Sequence, residues 1–399
     1  MAEGLSTSRQ TCVCKRAEIL AVDHPVYLDC NATTPIDPAV RDVVLRYMIE
    51  DFGNAGSRTH EYGNRANSAV QKAREQVARV VDAQREDVVF TSGATESNNL
   101  AILGLAPFGE REGRRHIVST QIEHKAVLEP LEALVRRGFK VTLVPPTPGG
   151  WVEPDAVLDA VRPDTLLVSI MHVNNETGVI QPISEIADRL DAHPAFMHTD
   201  AAQGFGKELE QLRHPRLDMI SISAHKLYAP KGVGTLILRR RGFKRAPLEP
   251  LMYGGGQERG LRPGTLPVHL VAGLGAAADL ALAHHAKWRS ACERFRASLL
   301  AALEQLQPQL NTPFERSLPN TLNFSLPGLD SEAVMLALKS VVSISNGSAC
   351  TSSTYAPSHV LSAMGHSEER VAGALRCSWC HLSQQPHWPS VIAAVRSLA

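Results

Sequence analysis

The stretch Ser221-Ile-Ser-Ala-His-Lys226-Leu-Tyr-Ala-Pro-Lys231-Gly232 decides how the chain is read. The apolar run Leu217 to Ile222 predicts a short buried strand leading into it. Gly232-Val-Gly234-Thr-Leu-Ile-Leu predicts the next strand beyond it. A lysine just past a buried strand, between small and hydroxyl residues and beside His225, suits covalent chemistry. Partial burial penalises the ammonium form and frees the amine as nucleophile and base. On this stretch alone, a solvated loop lysine is the alternative.

Two upstream stretches bear on that choice. Thr91-Ser-Gly93-Ala94-Thr95-Glu-Ser-Asn98 follows the apolar residues Val88 to Phe90 and opens a helical pattern. Small and hydroxyl residues at a helix N-terminus cradle phosphate through backbone N–H groups and the helix dipole. The stretch is neither the dinucleotide fingerprint GxGxxG nor a P-loop, since it lacks the P-loop lysine. Thr199-Asp200-Ala-Ala-Gln203 ends another apolar strand, Ala195 to His198. An aspartate there can hold a pyridine nitrogen protonated; its alternative role is a turn or helix cap. Lysine, phosphate cradle and aspartate together point to pyridoxal 5'-phosphate, a cofactor that acts as an electron sink.

In order and wording, the chain resembles the cysteine desulfurases of the NifS/IscS type, within the fold-type I pyridoxal phosphate enzymes. The resemblance runs from about Tyr27 to about Ser378. It is carried by Asp29-Cys-Asn-Ala-Thr-Thr-Pro35, Phe52-Gly-Asn54-Ala-Gly-Ser57, Ser92-Gly-Ala-Thr-Glu-Ser97 and Glu123-His124-Lys. His172-Val-Asn-Asn175-Glu-Thr-Gly178, His198-Thr-Asp200-Ala-Ala-Gln203 and Ser223-Ala-His-Lys226 continue it. Arg262-Pro-Gly-Thr265 and Gly347-Ser-Ala-Cys350-Thr complete it.

The resemblance implies a role for each matched residue. Lys226 would carry the cofactor, with His124 stacked on its ring and acting in proton transfer. Asn175 and Gln203 would hydrogen-bond the ring oxygen, and Ala94, Thr95, Ser223 and His225 would surround the phosphate. Thr265 would reach the phosphate of a second subunit, which implies a homodimer. Asn54, Asn175 and Arg376 would bind the substrate, L-cysteine. A guanidinium clamps a carboxylate with two parallel hydrogen bonds, which an ammonium cannot imitate. Cys350 would take the sulfur as a persulfide and pass it to an acceptor or scaffold protein. Its setting, Ser345-Asn-Gly-Ser-Ala-Cys-Thr-Ser-Ser-Thr, is small and polar, which predicts a mobile loop rather than core.

The chain has 399 residues, 44% of them hydrophobic and 21% charged, enough to bury a large core. Lys plus Arg and Asp plus Glu are both 41, so bulk charge gives no reason to expect direct nucleic-acid binding. No apolar run reaches the length of a membrane span, and residues 1–24 show no signal or transit pattern. The expectation is therefore a cytoplasmic protein with a disordered tail at 1–24. Seven cysteines, an odd and scattered number, fit a reducing compartment. Cys377-Ser-Trp-Cys380 has CxxC spacing without a second pair, so no metal site is expected. Cys30 and Cys292 are expected to be plain packing residues.

Alternating strand and helix patterns predict an α/β large domain over 25–265, with a mainly parallel seven-stranded sheet and its ligand at the strands' C-terminal ends. A smaller α/β domain is expected over 266–399, with residues 25–40 packing against it and a broken helix within Pro267 to Leu306. Two departures from the family pattern stand out. Pro263 replaces a serine, which stiffens the loop around Thr265. The end after Arg376 is short and atypical, so partner surfaces there are open. Rival readings are another fold-type I enzyme, such as an aminotransferase or selenocysteine lyase, and a non-catalytic partner protein. The sulfur's destination is open between iron–sulfur assembly, tRNA thiolation and DNA phosphorothioation.

Overall fold

The computed structural model describes residues 24–311, 313–347 and 357–398. The expected tail up to residue 23, Cys12, Cys14 and Cys350 lie outside the described residues.

In chain order, the first strand β1 is Val26–Tyr27. The strands of the large sheet follow: β2 (Val88–Thr91), β3 (His116–Thr120), β4 (Lys140–Val144), β5 (Thr165–Ser169), β6 (Phe196–Asp200), β7 (Met219–Ser223) and β8 (Gly234–Leu238). They lie in the order β2-β8-β7-β6-β5-β3-β4. All neighbours are parallel except that β8 runs antiparallel to β2 and β7, between which it is inserted. This is the mainly parallel seven-stranded sheet of a fold-type I architecture.

Alternation along the strands explains the layers. Val88 and Phe90 of β2, and Ile220 and Ile222 of β7, enter one buried cluster. Their neighbours Val89 and Met219 enter another on the opposite face. Both faces are therefore apolar and covered by helices, as a parallel sheet requires. Gly234 opens β8 where an added Cβ would lie 2.4 Å from the Ile222 carbonyl oxygen and 2.6 Å from Gly93 Cα. Only glycine lets three backbones meet there, and that crossing sits beside the phosphate-cradle stretch.

The C-terminal part builds a second, smaller sheet. Strands β9 (Gln309–Leu310), β10 (Thr321–Ser325) and β12 (Ala374–Ser378) pair antiparallel in the order β12-β10-β9. Strand β11 (Val342–Ser343) pairs in parallel with β1, and Asp29 bridges Ser378. The start of the chain thus crosses to this second unit before it enters the large sheet.

The helix Val268–Leu303 is unbroken, which corrects the expected interruption. Gly273 and Gly275 are packing positions, not breaks. A Cβ on the first would meet Val44 at 2.7 Å, and on the second Ala73 at 2.7 Å. Close approach of the helices Pro38–Ile49 and Glu61–Val80 requires small residues there. The helix's first half contributes Val271, Leu274 and Ala278 to the main core. Its second half contributes Phe295, Leu299 and Leu303 to the core of the small sheet. One continuous helix, starting at Val268 just after the expected 265/266 boundary, therefore contributes to both cores. The CxxC pair is divided in the same way, with Cys377 in the small core and Cys380 in the main one.

Candidate active site

A cavity of about 480 Å³ opens where the C-terminal ends of β2, β3, β5, β6 and β7 converge. Ala94, Thr95, His124, Asn175, Asp200, Gln203, Ser223, His225, Lys226 and Arg376 all line it. These ten residues are scattered over nearly 300 positions of sequence, and the sheet's topology is what brings them together.

Lys226 leaves β7 in a single turn of 3-10 helix, Ala224–Lys226. Its ammonium is half-buried and donates to the Ala32 carbonyl at 2.7 Å and to the Asn31 carbonyl. Two residues on, Tyr228 has a φ of 60°, a left-handed conformation that costs a bulky residue energy. The Tyr228 N–H donates to Thr34 Oγ1 at 2.9 Å, and Thr34 in turn donates to the His225 carbonyl. The strained turn behind the lysine is thus fixed by the Asn31–Thr34 segment.

His124 follows β3 and caps the helix Lys125–Arg136. Its Nδ1 accepts from the Ala126 N–H at 3.0 Å. Accepting there puts the neutral ring's proton on Nε2. Burial keeps its pKa below the ordinary histidine value. Asp200 ends β6 with 6% exposure. Asn98 donates to its Oδ2 at 2.7 Å and the Ala202 N–H to its Oδ1 at 2.9 Å, so two donors fix the carboxylate's orientation. Gln203 donates to the Asn31 carbonyl at 2.9 Å. Its buried Oε1, like Oδ1 of Asn98, has no hydrogen-bond partner among the described residues. Two unpaired amide oxygens facing a polar cavity are a cost that a bound polar ligand would remove.

The helix Ala94–Leu103 points its N-terminus into the cavity, with Ala94 and Thr95 in its first turn and Ser223 and His225 nearby. Burial, reinforced by the neighbouring Lys226 ammonium, pushes the His225 pKa down to about 4. Arg376, in the middle of β12, is fully buried. It donates to the Asn175 carbonyl at 3.0 Å and to Asp29 Oδ1 at 2.6 Å.

Two expected residues do not line the cavity. Asn54 is exposed, its Oδ1 accepting from the Gly56 N–H at 2.8 Å. Thr265 is exposed at the end of a loop anchored elsewhere: Glu258 pairs with Arg74 and accepts from the Phe90 N–H at 2.7 Å. Sequence reasoning passed over Asn31 and Asn98, which touch Lys226, Gln203 and Asp200. Asn98 was findable, because it lies three residues after Thr95 on the same helix face.

The class-V aminotransferase family model matches residues 26–386. The chain belongs to that family. Among its class-V relatives is the cysteine desulfurase IscS of Methylococcus capsulatus, 44% identical over 353 residues, covering 88% of this chain and 87% of the relative. Among solved structures, DndA from Streptomyces lividans is 52% identical with a TM-score of 0.78, covering 88% of this chain and 98% of DndA. SspA, solved in complex with cysteine, is 35% identical with a TM-score of 0.78 and covers 90% of this chain and all of SspA, 100%. Among the described residues, no helix of this class-V protein is long and apolar enough to cross a membrane.

Proposed function

We propose that the protein is a cysteine desulfurase that works with pyridoxal 5'-phosphate, and that the convergence of Lys226, Asp200, His124 and Arg376 on one cavity carries this reading. When bound, the cofactor supplies an electron sink for the pair left at the substrate's Cα. The remaining work falls to the chain's own side chains.

Lys226 would hold the cofactor, and its amine, once free, would remove the substrate's Cα proton. Asp200, oriented by Asn98 and Ala202, keeps the pyridine nitrogen protonated. His124, which lines the cavity, would face the ring with a neutral imidazole able to carry protons. The first turn of the helix Ala94–Leu103, with Thr95, Ser223 and His225, holds the phosphate. Asn175 and Gln203 orient the ring, and the unpaired amide oxygens of Gln203 and Asn98 support a polar occupant. Arg376 grips the L-cysteine carboxylate, and Asn54, exposed and outside the cavity, is kept as a substrate contact by resemblance alone. The Cys350 thiolate attacks the substrate sulfur. An S–S bond forms, the C–S bond breaks, and its electron pair stays with the carbon fragment, which leaves as alanine. A persulfide on Cys350 then awaits an acceptor protein.

Thr265 and the exposed Tyr253, Phe52 and Ile49 support a homodimer in which each subunit completes the other's phosphate site. The reading includes a reducing, cytoplasmic setting. For the sulfur's destination, 52% identity to DndA against 44% to IscS favours DNA phosphorothioation.

The experiment is to incubate purified protein with L-cysteine and no keto acid, measuring alanine and sulfide. Equimolar alanine and sulfide, with a visible absorbance band bleached by borohydride, is the expected result. Dependence on a keto acid would favour an aminotransferase, and absence of the band a non-catalytic protein.

A further inference from the structure

Behind the Asn31–Ala32 turn lies a second group of reactive side chains that the proposed chemistry does not use. Cys30 and Cys380 are buried, with 1% and 3% exposure, and their thiols are close enough to perturb each other's ionisation. Ser383 Oγ stands 4.0 Å from Cys30 Sγ and 3.7 Å from Cys380 Sγ, so both thiols lie on one hydroxyl. The Cys380 N–H donates to the same oxygen at 3.0 Å. The backbone fixes the pairing too: the Cys30 N–H donates to the Ser378 carbonyl at 3.0 Å, and the Ser378 N–H to the Leu28 carbonyl at 2.8 Å.

The third member is Lys207. Its Nζ is buried with no hydrogen-bond partner among the described residues. The groups that favour its charge are Cys30, Cys292 and Cys380, and no carboxylate is among them. A buried ammonium without a partner is costly, and a thiolate is the counter-charge within reach. The neighbouring Cys30 thiol, followed by the Leu382 backbone and Ser383 and by the Lys207 charge, holds the Cys380 thiol below its ordinary pKa against the effect of burial. The Cys380 thiol and burial push Cys30 up, which marks it as the proton-bearing partner.

We propose that Cys30 and Cys380 form a reversible dithiol–disulfide site, oxidised by small hydroperoxides, with Lys207 as its counter-ion. The Cys380 thiolate attacks one peroxide oxygen, the O–O bond breaks, and the leaving oxygen takes a proton as water or alcohol. The Cys30 thiol then attacks the sulfenic sulfur. An S–S bond forms, and the hydroxide leaves as water with the Cys30 proton. The two thiols lose two electrons, and the peroxide bond gains them.

Oxidant size follows from the surroundings. The cavity of about 30 Å³ that Lys207 lines with Tyr228 and Cys292 does not reach Cys30 or Cys380 and has no room for a tripeptide disulfide, so the buried pair is reached only by a small oxidant admitted by local opening. The disulfide also has a structural consequence. It locks the segment whose carbonyls receive Lys226 to the segment directly following Arg376 on β12, so oxidation is felt in the active site.

The test uses the holoenzyme, with hydrogen peroxide as the probe, followed by denaturation, alkylation and peptide mapping under non-reducing conditions. The expected product is a linked Cys30–Cys380 peptide that dithiothreitol reverses, with Cys292 still reduced. Lys207→Met, which keeps the volume and removes the charge, should slow linkage several-fold. If Cys30 and Cys380 both remain alkylatable after Cys350 is fully oxidised, the site does not exist. A folded Lys207→Met protein that links at the wild-type rate removes lysine from the proposal and overturns it in that form. Neither arm needs turnover, so failure here is distinguishable from failure of the desulfurase reading.

Discussion

Arg376 Nη2 meets Asp29 Oδ1 at 2.6 Å, although the arginine has no solvent exposure and sits mid-strand in β12. A guanidinium so buried needs a nearby counter-charge, and Asp29 supplies it from the segment that also holds Lys226 in place. The same fork lines the cavity, so it can share its donors between Asp29 and a substrate carboxylate.

Arg376→Lys keeps the charge and loses the planar fork. The expected cost in kcat/KM for L-cysteine is on the order of 2–5 kcal/mol, the range for breaking a buried, hydrogen-bonded charge pair. Steady-state kinetics of alanine formation checks it. An unchanged kcat/KM would remove Arg376 from substrate recognition.

Lys226→Ala removes the amine that donates to the Ala32 carbonyl at 2.7 Å. Turnover should vanish, while the phosphate and ring contacts still hold the cofactor. It should then be released on denaturation even after borohydride treatment, which would fix a lysine-bound cofactor to the wild-type chain. Retained alanine formation by this variant would refute the assignment.

Much of this arrangement was legible in the sequence, for a physical reason. Strands of the large sheet are buried on both faces and read as short apolar runs, so Lys226, Asp200 and Thr95 could be placed directly after strands. The continuity of the helix Val268–Leu303 was not legible, because a glycine that permits helix contact, such as Gly273 or Gly275, looks the same in sequence as one that ends a helix. Strand β12 went unread, since Arg376 interrupts its apolar pattern and the partner that neutralises it, Asp29, lies 347 residues away. The Cys30–Cys380–Lys207 group was invisible for the same reason. Nothing local in the sequence relates a lysine in a turn to cysteines at opposite ends of the chain.

Glu123 offers a test of burial through pH. It is fully buried, accepting from Thr120 Oγ1 at 2.9 Å and the Met171 N–H at 2.8 Å, and burial pushes its pKa up to about 8. A folded-state pKa above the unfolded value means that the native state holds the extra proton. Its contribution to stability is complete below the unfolded value, near pH 4.5, and is lost as pH rises through about 8. Glu123→Gln keeps both acceptor contacts and cannot ionise. Thermal midpoints at pH 6 and pH 9 should show the variant gaining on the wild type at the higher pH. An equal difference at both values would mean that Glu123 does not titrate in this range.

The sharpest prediction divides the proposed reaction at one atom. Loss of the Cα proton needs Lys226, whereas sulfur removal needs a thiolate, assigned by resemblance to Cys350. Cys350→Ser preserves size and polarity but replaces a thiol of pKa about 8.5 by a hydroxyl that barely ionises and is a poor nucleophile towards sulfur. The variant should bind the cofactor and still change its absorbance when L-cysteine is added. It should release no alanine, and mass spectrometry after alkylation should find no persulfide. The other cysteines supply the control. Cys377 and Cys380 are close to Arg376 in sequence, yet both thiols are buried, and burial pushes Cys377 up to about 12, where the thiolate is scarce. Cys377→Ser and Cys380→Ser should therefore keep turning over. If Cys350→Ser releases alanine while Cys380→Ser does not, the sulfur-accepting thiol is Cys380, and the assignment of Cys350 falls.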